Sequence, residues 1–221
     1  MSSCVSVCLR RHDGGPFASR MRHRPFRIGL TGSIGMGKST AAGMFRDAGV
    51  PVFDADAEVH RLQGPDGALL DAIEARFPGT TGPAGVDRQK LGALVIGRPD
   101  ELRALEAIVH PAVGTSRKAF LCRHRSAPMV LLDIPLLFET RGERHVDMVV
   151  VVSAAPFLQR QRVLRRPGMT ARRFARIKAS QVPDHIKRRG ADVVLDSGGP
   201  KWRMRKRIFR LVACLREALV R

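Results

Sequence analysis

The feature that most constrains this chain is a glycine-rich loop between an apolar segment and a helical pattern. Residues 32–39 read GSIGMGKS and fit the pattern G-x-x-x-x-G-K-[ST] without a mismatch. Residues 26–31, just before the loop, predict a buried strand, and residues 38–48 predict a helix. Backbone N–H groups at the start of a helix bind anions. The loop therefore predicts a phosphate-binding site, and the alternative is a glycine-rich turn that binds nothing.

The lysine and serine that end this loop predict contacts with a nucleotide. Lys38 is expected to reach the β- and γ-phosphates, and the Ser39 hydroxyl is expected to ligate Mg²⁺. The pattern alone does not separate ATPases, GTPases, helicases and small-molecule kinases, because all of them share it. The predicted nucleotide-binding residues are Gly32, Ser33, Ile34, Gly35, Met36, Gly37, Lys38, Ser39 and Thr40.

Apolar runs alternate with helical patterns along the rest of the chain. After residues 26–31, runs at 51–53, 129–133, 146–152 and 191–195 predict four more strands. Because helical stretches separate these strands, the sequence predicts an α/β fold with a parallel sheet covered on both faces.

Three stretches carry the helical patterns. Residues 57–127 are helical apart from a Gly- and Pro-rich loop at 77–85, and residues 156–189 form an arginine-dense helical stretch. Near the end, an apolar stripe at helical spacing predicts a helix that faces the core rather than a membrane. Its members are Ile208, Leu211, Val212, Leu215 and Leu219.

Carboxylates follow two of the predicted strands. Asp54 and Asp56 come where the second strand ends, and open α/β sheets bind ligands beyond the carboxyl ends of their strands. Phosphoryl transfer to a hydroxyl needs a carboxylate that orients the acceptor and takes its proton. Either aspartate fits this role, and Asp54 also fits an N-cap. Asp133, after the third strand, fits a carboxylate that holds Mg²⁺ through water, or else a strand-end loop residue.

Further motifs follow the loop in a fixed order and together resemble the dephospho-CoA kinase family. The resemblance covers residues 27 to 199, and its later motifs are more specific than the loop. The motifs are GLTGxIGxGKST at 29–40, Asp54-Ala55-Asp56, Asp87-Arg88-x-x-Leu91, Leu105-Glu106-x-Ile108-x-His110-Pro111, DIPLLFE at 133–139, Gln159-x-x-Arg162-x-x-x-Arg166, Gln181, Lys187 and Ala191-Asp192.

The resemblance implies an α/β P-loop kinase fold with a five-stranded parallel sheet flanked by helices. It also implies one domain at 25–221, with a helical acceptor-binding region at 58–127 and a lid at 156–182. The implied reaction is the last step of coenzyme A synthesis. In that step ATP, with Mg²⁺, phosphorylates the ribose 3′-hydroxyl of dephospho-CoA.

The same resemblance implies roles for single residues. Asp56 would be the base that activates the 3′-hydroxyl, and Arg162 would act with Lys38 on the transferring group. Guanidinium groups suit a lid because they stabilise charge on the phosphoryl group, although most of the arginines at 156–182 are expected to be solvated. For His110 a buried structural role is the alternative. The residues implied to line the acceptor site are Arg88, His110 and Glu139.

One loop departs from the family pattern. Family members usually have an asparagine after the last strand, where this chain has Asp196-Ser197-Gly198-Gly199. This loop is expected to lie near the adenine of ATP.

The formal net charge of +19 raises a rival hypothesis, a nucleic-acid-binding P-loop protein. The sequence offers neither an aromatic stacking platform nor a recognition helix, so we expect ATP and dephospho-CoA as partners and no specific nucleic acid. No apolar run approaches the roughly 18 residues of a membrane helix. For the oligomeric state, a monomer is favoured. Another small-molecule kinase with the same core is the enzymatic alternative.

Residues 1–24 look separate from the fold, with five arginines, Gly-Gly-Pro and little periodicity. A disordered tail, a start assigned too early with Met21 as the true start, and an organellar transit peptide are the competing interpretations. The four cysteines show no zinc-ligand pairing. They favour a reducing, cytoplasmic compartment.

A chain that begins at Met21 is expected to fold and to turn over substrate like the full chain. The reason is that the removed residues precede the first strand and have no apolar periodicity with which to pack. Thermal unfolding and steady-state turnover of the two chains test this expectation. A large loss of stability in the shorter chain would contradict it.

Overall fold

The computed structural model describes residues 24–220, so the predicted tail, apart from Arg24, lies outside the described residues. The described chain divides into two compact units. The first comprises residues 24–53 and 124–220, and the second comprises Asp54–Arg123. The helices are α1 (Lys38–Asp47), α2 (Ala55–Leu62), α3 (Leu70–Arg76), α4 (Arg88–Val95), α5 (Pro99–Arg123), α6 (Pro156–Leu164), α7 (Ala171–Ala179), α8 (Asp184–Arg189) and α9 (Lys201–Val220), with a short 3-10 turn at Gly142–His145.

The first unit contains the predicted five-stranded parallel sheet. The strands β1 (Phe26–Thr31), β2 (Val52–Asp54), β3 (Met129–Asp133), β4 (Met148–Ser153) and β5 (Val193–Asp196) lie in the order β2-β3-β1-β4-β5. The central strand β1 pairs in parallel with β3 on one side and with β4 on the other. The chain order therefore reverses beside β1, and ligands bind beyond the carboxyl ends of strands at such a switch point.

Two aspartates lie directly before β4 and β5, which begin two residues later than the sequence predicts. Asp147 accepts the backbone N–H of Arg27 at 2.8 Å and both terminal guanidinium nitrogens of Arg24 at 2.7 Å. Asp192 accepts the backbone N–H of Val149 at 2.7 Å. The N–H groups of Asp147 and Asp192 also donate to the carbonyls of Arg27 and Val149, so both aspartates already bond to the neighbouring strand just before β4 and β5 begin.

Helices cover both faces of the sheet. All six residues of β4 are buried, as expected for a central strand of a parallel sheet. On one face, α1 and α9 pack against β1, and Ile208, Val212 and Leu215 of α9 are almost fully buried. The predicted core-facing stripe is confirmed. On the other face, Leu137 packs with residues of β4 in a second apolar cluster.

The second unit has an apolar core of its own, formed by α2 to α5. Its buried members are Leu62, Leu69, Ile73, Phe77, Leu91 and Val95. The predicted loop at 77–85 contains a small antiparallel pairing of Thr81–Gly82 with Gly85–Val86, which the sequence analysis missed. Glu74 fixes this turn, because its carboxylate accepts the N–H groups of Gly79 at 2.6 Å and Thr81 at 3.0 Å. These hydrogen bonds also lower the pKa of Glu74.

None of the helices in residues 24–220 combines the length and apolar character needed to cross a membrane.

Candidate active site

The predicted phosphate loop joins β1 to α1, as the sequence indicates. Gly35 and Gly37 adopt the left-handed conformation, with φ of 78° and 87°, which only glycine adopts without strain. A Cβ atom on Gly35 would also lie 2.4 Å from Cγ2 of Val163. Ser39 and Thr40 are exposed in the first turn of α1, whose start carries no side-chain cap among the described residues. The N–H groups of that turn are therefore available to an anion.

Lys38 and Asp133 form a close ion pair beside this loop. Lys38 Nζ lies 2.6 Å from Asp133 Oδ1, and Asp133 is only 1% exposed at the end of β3. A buried carboxylate needs such a partner because desolvation of an unpaired charge is costly. The structure thus brings together the lysine predicted to contact phosphates and the carboxylate predicted to hold metal.

Two glutamine side chains hold the middle of the loop. Gln159 Nε2 donates to the carbonyl of Ile34 at 2.8 Å, and the N–H of Ile34 donates to Gln181 Oε1 at 3.0 Å. Gln159 belongs to α6 and is 2% exposed, and Gln181 follows α7. Sequence reasoning placed both glutamines in family motifs but gave them no role. The spacing of these motifs was the only feature of the sequence that could have indicated a role for the two glutamines.

Ser197 connects the loop with the predicted lid arginine. The Ser197 hydroxyl donates to the carbonyl of Met36 at 2.7 Å and accepts from Arg162 Nη1 at 2.9 Å. Arg162 Nη2 also donates to the carbonyl of Ser197 at 2.7 Å. Arg162 is therefore held against the phosphate loop, whereas Arg166 is exposed.

Glu139, predicted to line the acceptor site, is 14% exposed and forms an ion pair with a buried lysine. Its Oε1 atom is 2.8 Å from Lys187 Nζ and accepts the N–H of Val182 at 2.9 Å. Lys187 is fully buried, and its nitrogen does not meet hydrogen-bond geometry, so the contact with Glu139 is chiefly electrostatic. Within residues 24–220, Glu139 Oε2 is buried without a hydrogen-bond partner.

In the second unit, the two candidate bases differ in what they contact. Asp54 caps α2, because its Oδ1 atom accepts the N–H of Ala57 at 2.9 Å. Asp56 is exposed in the first turn of the same helix. Two residues on, Glu58 accepts hydrogen bonds from Arg61, which lower the pKa of Glu58, and a hydrogen bond with Ser116 adds to this shift. The N-cap alternative for Asp54 is therefore observed.

The two predicted acceptor-site residues of the second unit lie on different helices. Arg88 is the first residue of α4, where Asp87 caps the helix through the N–H groups of Gln89 and Lys90. His110 lies within α5, just before Pro111, and its side chain is exposed. The alternative of a buried structural histidine is therefore wrong.

A parallel sheet with this strand order, and with a G-x-x-x-x-G-K-S loop between β1 and α1, defines the P-loop kinase fold. A model of the dephospho-CoA kinase family matches residues 26–201. The chain belongs to this family, which confirms the resemblance seen in the sequence. As a kinase it uses ATP.

Individual relatives agree with this assignment. The dephospho-CoA kinase of Novosphingobium aromaticivorans is 59% identical over 194 residues, which cover 88% of this chain and 96% of that protein. The dephospho-CoA kinase of Rhizobium meliloti is 50% identical, with 86% and 97% covered. Among solved structures, a protein of Thermus thermophilus has a TM-score of 0.77 at 34% identity and covers 86% of this chain and 97% of its own. The dephospho-CoA kinase of Campylobacter jejuni, at 20% identity and with 86% and 96% covered, shares the fold with a TM-score of 0.59.

Replacement of Lys38 by methionine is expected to weaken ATP binding about 10- to 100-fold. Methionine keeps most of the side-chain volume but removes a charged hydrogen-bond donor to the phosphates. Calorimetric titration with ATP measures the affinity, and thermal unfolding reports whether the variant folds. Lys206→Met, at an exposed position of α9, is the matched control. A folded K38M protein with the affinity of K206M would contradict the assigned contact.

Proposed function

We propose that this protein transfers the γ-phosphoryl group of ATP to the ribose 3′-hydroxyl of dephospho-CoA, which completes coenzyme A. The observation that carries the proposal is the 59% identity over 194 residues to a dephospho-CoA kinase. The paired Lys38 and Asp133 beside the phosphate loop support it.

Acceptor competition tests this proposal directly. The full chain, with ATP and Mg²⁺, is supplied with dephospho-CoA, shikimate or gluconate, and ADP release is followed with a coupled assay. Of the three acceptors, we expect only dephospho-CoA to support turnover. Mass spectrometry should find one phosphoryl group added to dephospho-CoA. A higher kcat/KM for another alcohol would overturn the proposed acceptor, as would ADP release that is independent of dephospho-CoA.

The nucleotide side of the reaction is assigned to the phosphate loop. The loop N–H groups and Lys38 bind the β- and γ-phosphates, and Arg162 stabilises the charge that spreads over the transferring group. The support for Arg162 is its position, since Ser197 holds it against the carbonyl of Met36. In the transfer, the acceptor oxygen bonds to the γ-phosphorus, and the bond from that phosphorus to the bridging oxygen of ADP breaks.

We propose that Ser39 and Asp133 hold Mg²⁺. Hydroxyl and carboxylate oxygens are the donors this ion prefers, and it usually takes only one or two protein ligands together with phosphates and water. The buried Asp133 carboxylate and the exposed Ser39 hydroxyl fit that donor set. When bound, Mg²⁺ neutralises charge on the β- and γ-phosphates.

Asp56 is the proposed base, and it takes the proton of the 3′-hydroxyl as the new phosphorus–oxygen bond forms. The contacts of its neighbour favour this choice. Asp54 already uses one carboxylate oxygen to cap α2, whereas Asp56 is exposed. The choice rests on these contacts and on the family motif.

For the acceptor we propose contacts with Arg88, His110 and Glu139. The exposed guanidinium of Arg88 suits the diphosphate of dephospho-CoA, since guanidinium groups bind phosphate oxygens in pairs. The exposed His110 offers a ring N–H donor. In Glu139, Oε2 is the oxygen left to accept a donor, because Oε1 already contacts Lys187 and Val182.

We also propose a monomer that acts in the cytoplasm, with ATP and dephospho-CoA as its partners. Among the residues that the structure describes, Cys122 forms no disulfide, and a reducing compartment keeps thiols in that state. Light scattering after gel filtration measures the mass of the assembly.

The variant Asp56→Asn is expected to lower turnover by roughly 10²–10⁴-fold while the affinity for ATP stays near that of the wild type. Asparagine keeps the size of the side chain but cannot take a proton. Asp54→Asn is the matched control, because asparagine caps a helix as well as aspartate does, and its loss should be much smaller. Both are measured with dephospho-CoA at saturating Mg²⁺-ATP. If both variants fold and Asp54→Asn is the slower enzyme, Asp56 is not the base.

A further inference from the structure

Both ends of one arginine-rich segment are attached to a single residue of the phosphate loop. We define this segment as residues 160–180, which contain Arg162. Gln159, directly before it, donates to the carbonyl of Ile34 at 2.8 Å, and Gln181, directly after it, accepts the N–H of Ile34 at 3.0 Å. Both backbone groups of Ile34 are thus bound by side chains that flank the segment.

These contacts bear on how the loop binds an anion. N–H groups converge on a phosphate only when the carbonyls between them point elsewhere. Gln159 holds the carbonyl of Ile34, and Ser197 holds the carbonyl of Met36 at 2.7 Å. Side chains outside the loop therefore fix two of its carbonyls, and a site fixed in advance loses less entropy when its ligand binds.

The far end of the segment is itself anchored. Val182, next to Gln181, donates its N–H to Glu139 at 2.9 Å, and Glu139 pairs with the buried Lys187. Within the segment, Arg162 is held by Ser197, which is also bonded to Met36. Arg162 and the loop are therefore connected through Ile34 and through Met36.

We propose that Gln159 and Gln181 are positioning residues that hold the phosphate loop and the arginine-rich segment in one fixed arrangement. The N–H groups of the loop and the guanidinium of Arg162 then meet the phosphates of ATP without rearrangement. The expected changes in kcat and KM rest on the proposed function, whereas the expected changes in ATP affinity do not.

The opposite hydrogen-bond roles of the two glutamines provide a matched test. Gln159→Glu replaces the required donor by an oxygen that repels the carbonyl of Ile34. Gln181→Glu keeps the acceptor that the N–H of Ile34 needs. Both variants add the same charge beside the same residue, so a difference between them reports hydrogen bonding. Gln161→Glu, at an exposed position of the same helix as Gln159, controls for charge on α6.

We expect Gln159→Glu to bind ATP about 10- to 100-fold more weakly in calorimetric titration, and Gln181→Glu to stay within about threefold of Gln161→Glu. In turnover, Gln159→Glu should raise the KM for ATP and lower kcat, while the KM for dephospho-CoA is unchanged. A defect of folding alone would lower the melting temperature and the active fraction but would leave the KM for ATP unchanged.

Gln159→Met removes the same donor without adding charge and serves if Gln159→Glu does not fold. Combined with Gln181→Met in a double-mutant cycle, it should show non-additive losses of ATP affinity, because both side chains act through Ile34. Equal losses in Gln159→Glu and Gln181→Glu would overturn the proposal, as would additive methionine effects or ATP binding by Gln159→Met at wild-type strength. A wild-type chain that binds ATP but does not phosphorylate dephospho-CoA would instead contradict the proposed function.

Discussion

A loop of backbone N–H groups binds an anion only if the carbonyls between those groups are held away from the anion. In this chain the sequence of the loop meets only part of that requirement. Gly35 and Gly37 supply the left-handed turns, and Lys38 supplies charge. The carbonyls of Ile34 and Met36 are held by Gln159 and Ser197, which lie more than a hundred residues further along the chain. The conformation of the phosphate loop therefore depends on residues of the first unit that are distant from it in the sequence.

The sheet was predictable because its signal is local. Each strand is a short apolar run in the sequence, and the predicted and observed strands differ only at some of their ends. Those ends involve tertiary contacts, since Asp147 and Asp192 accept backbone N–H groups where β4 and β5 begin. The pairing around Thr81 was missed for a related reason. It holds together through the carboxylate of Glu74, which apolar periodicity does not reveal.

The candidate site was predictable where a residue type has one dominant use. A lysine that ends a glycine-rich loop and an aspartate that ends a buried strand were both chosen from the sequence, and they lie 2.6 Å apart. Glutamine has no such dominant use, because its amide can donate, accept or face solvent. Gln159 and Gln181 therefore stood out only through the spacing of family motifs. His110 could not be assigned from the sequence, because a histidine before proline fits a buried structural role as well as a place in the acceptor site. The structure shows that its side chain is exposed.

Ser197 shows how the departure from the family pattern remains compatible with the site. The structure requires a group at this position that donates to the carbonyl of Met36 and accepts from Arg162 at the same time. A hydroxyl does both with one oxygen, and the amide of the usual asparagine does both with two atoms. Because serine is shorter, it serves only if its backbone is close to the loop. The N–H of Ser197 donates to the carbonyl of Ser153 at 2.9 Å, which fixes it beside the end of β4. Serine thus keeps the connection between the phosphate loop and Arg162 with a different set of atoms.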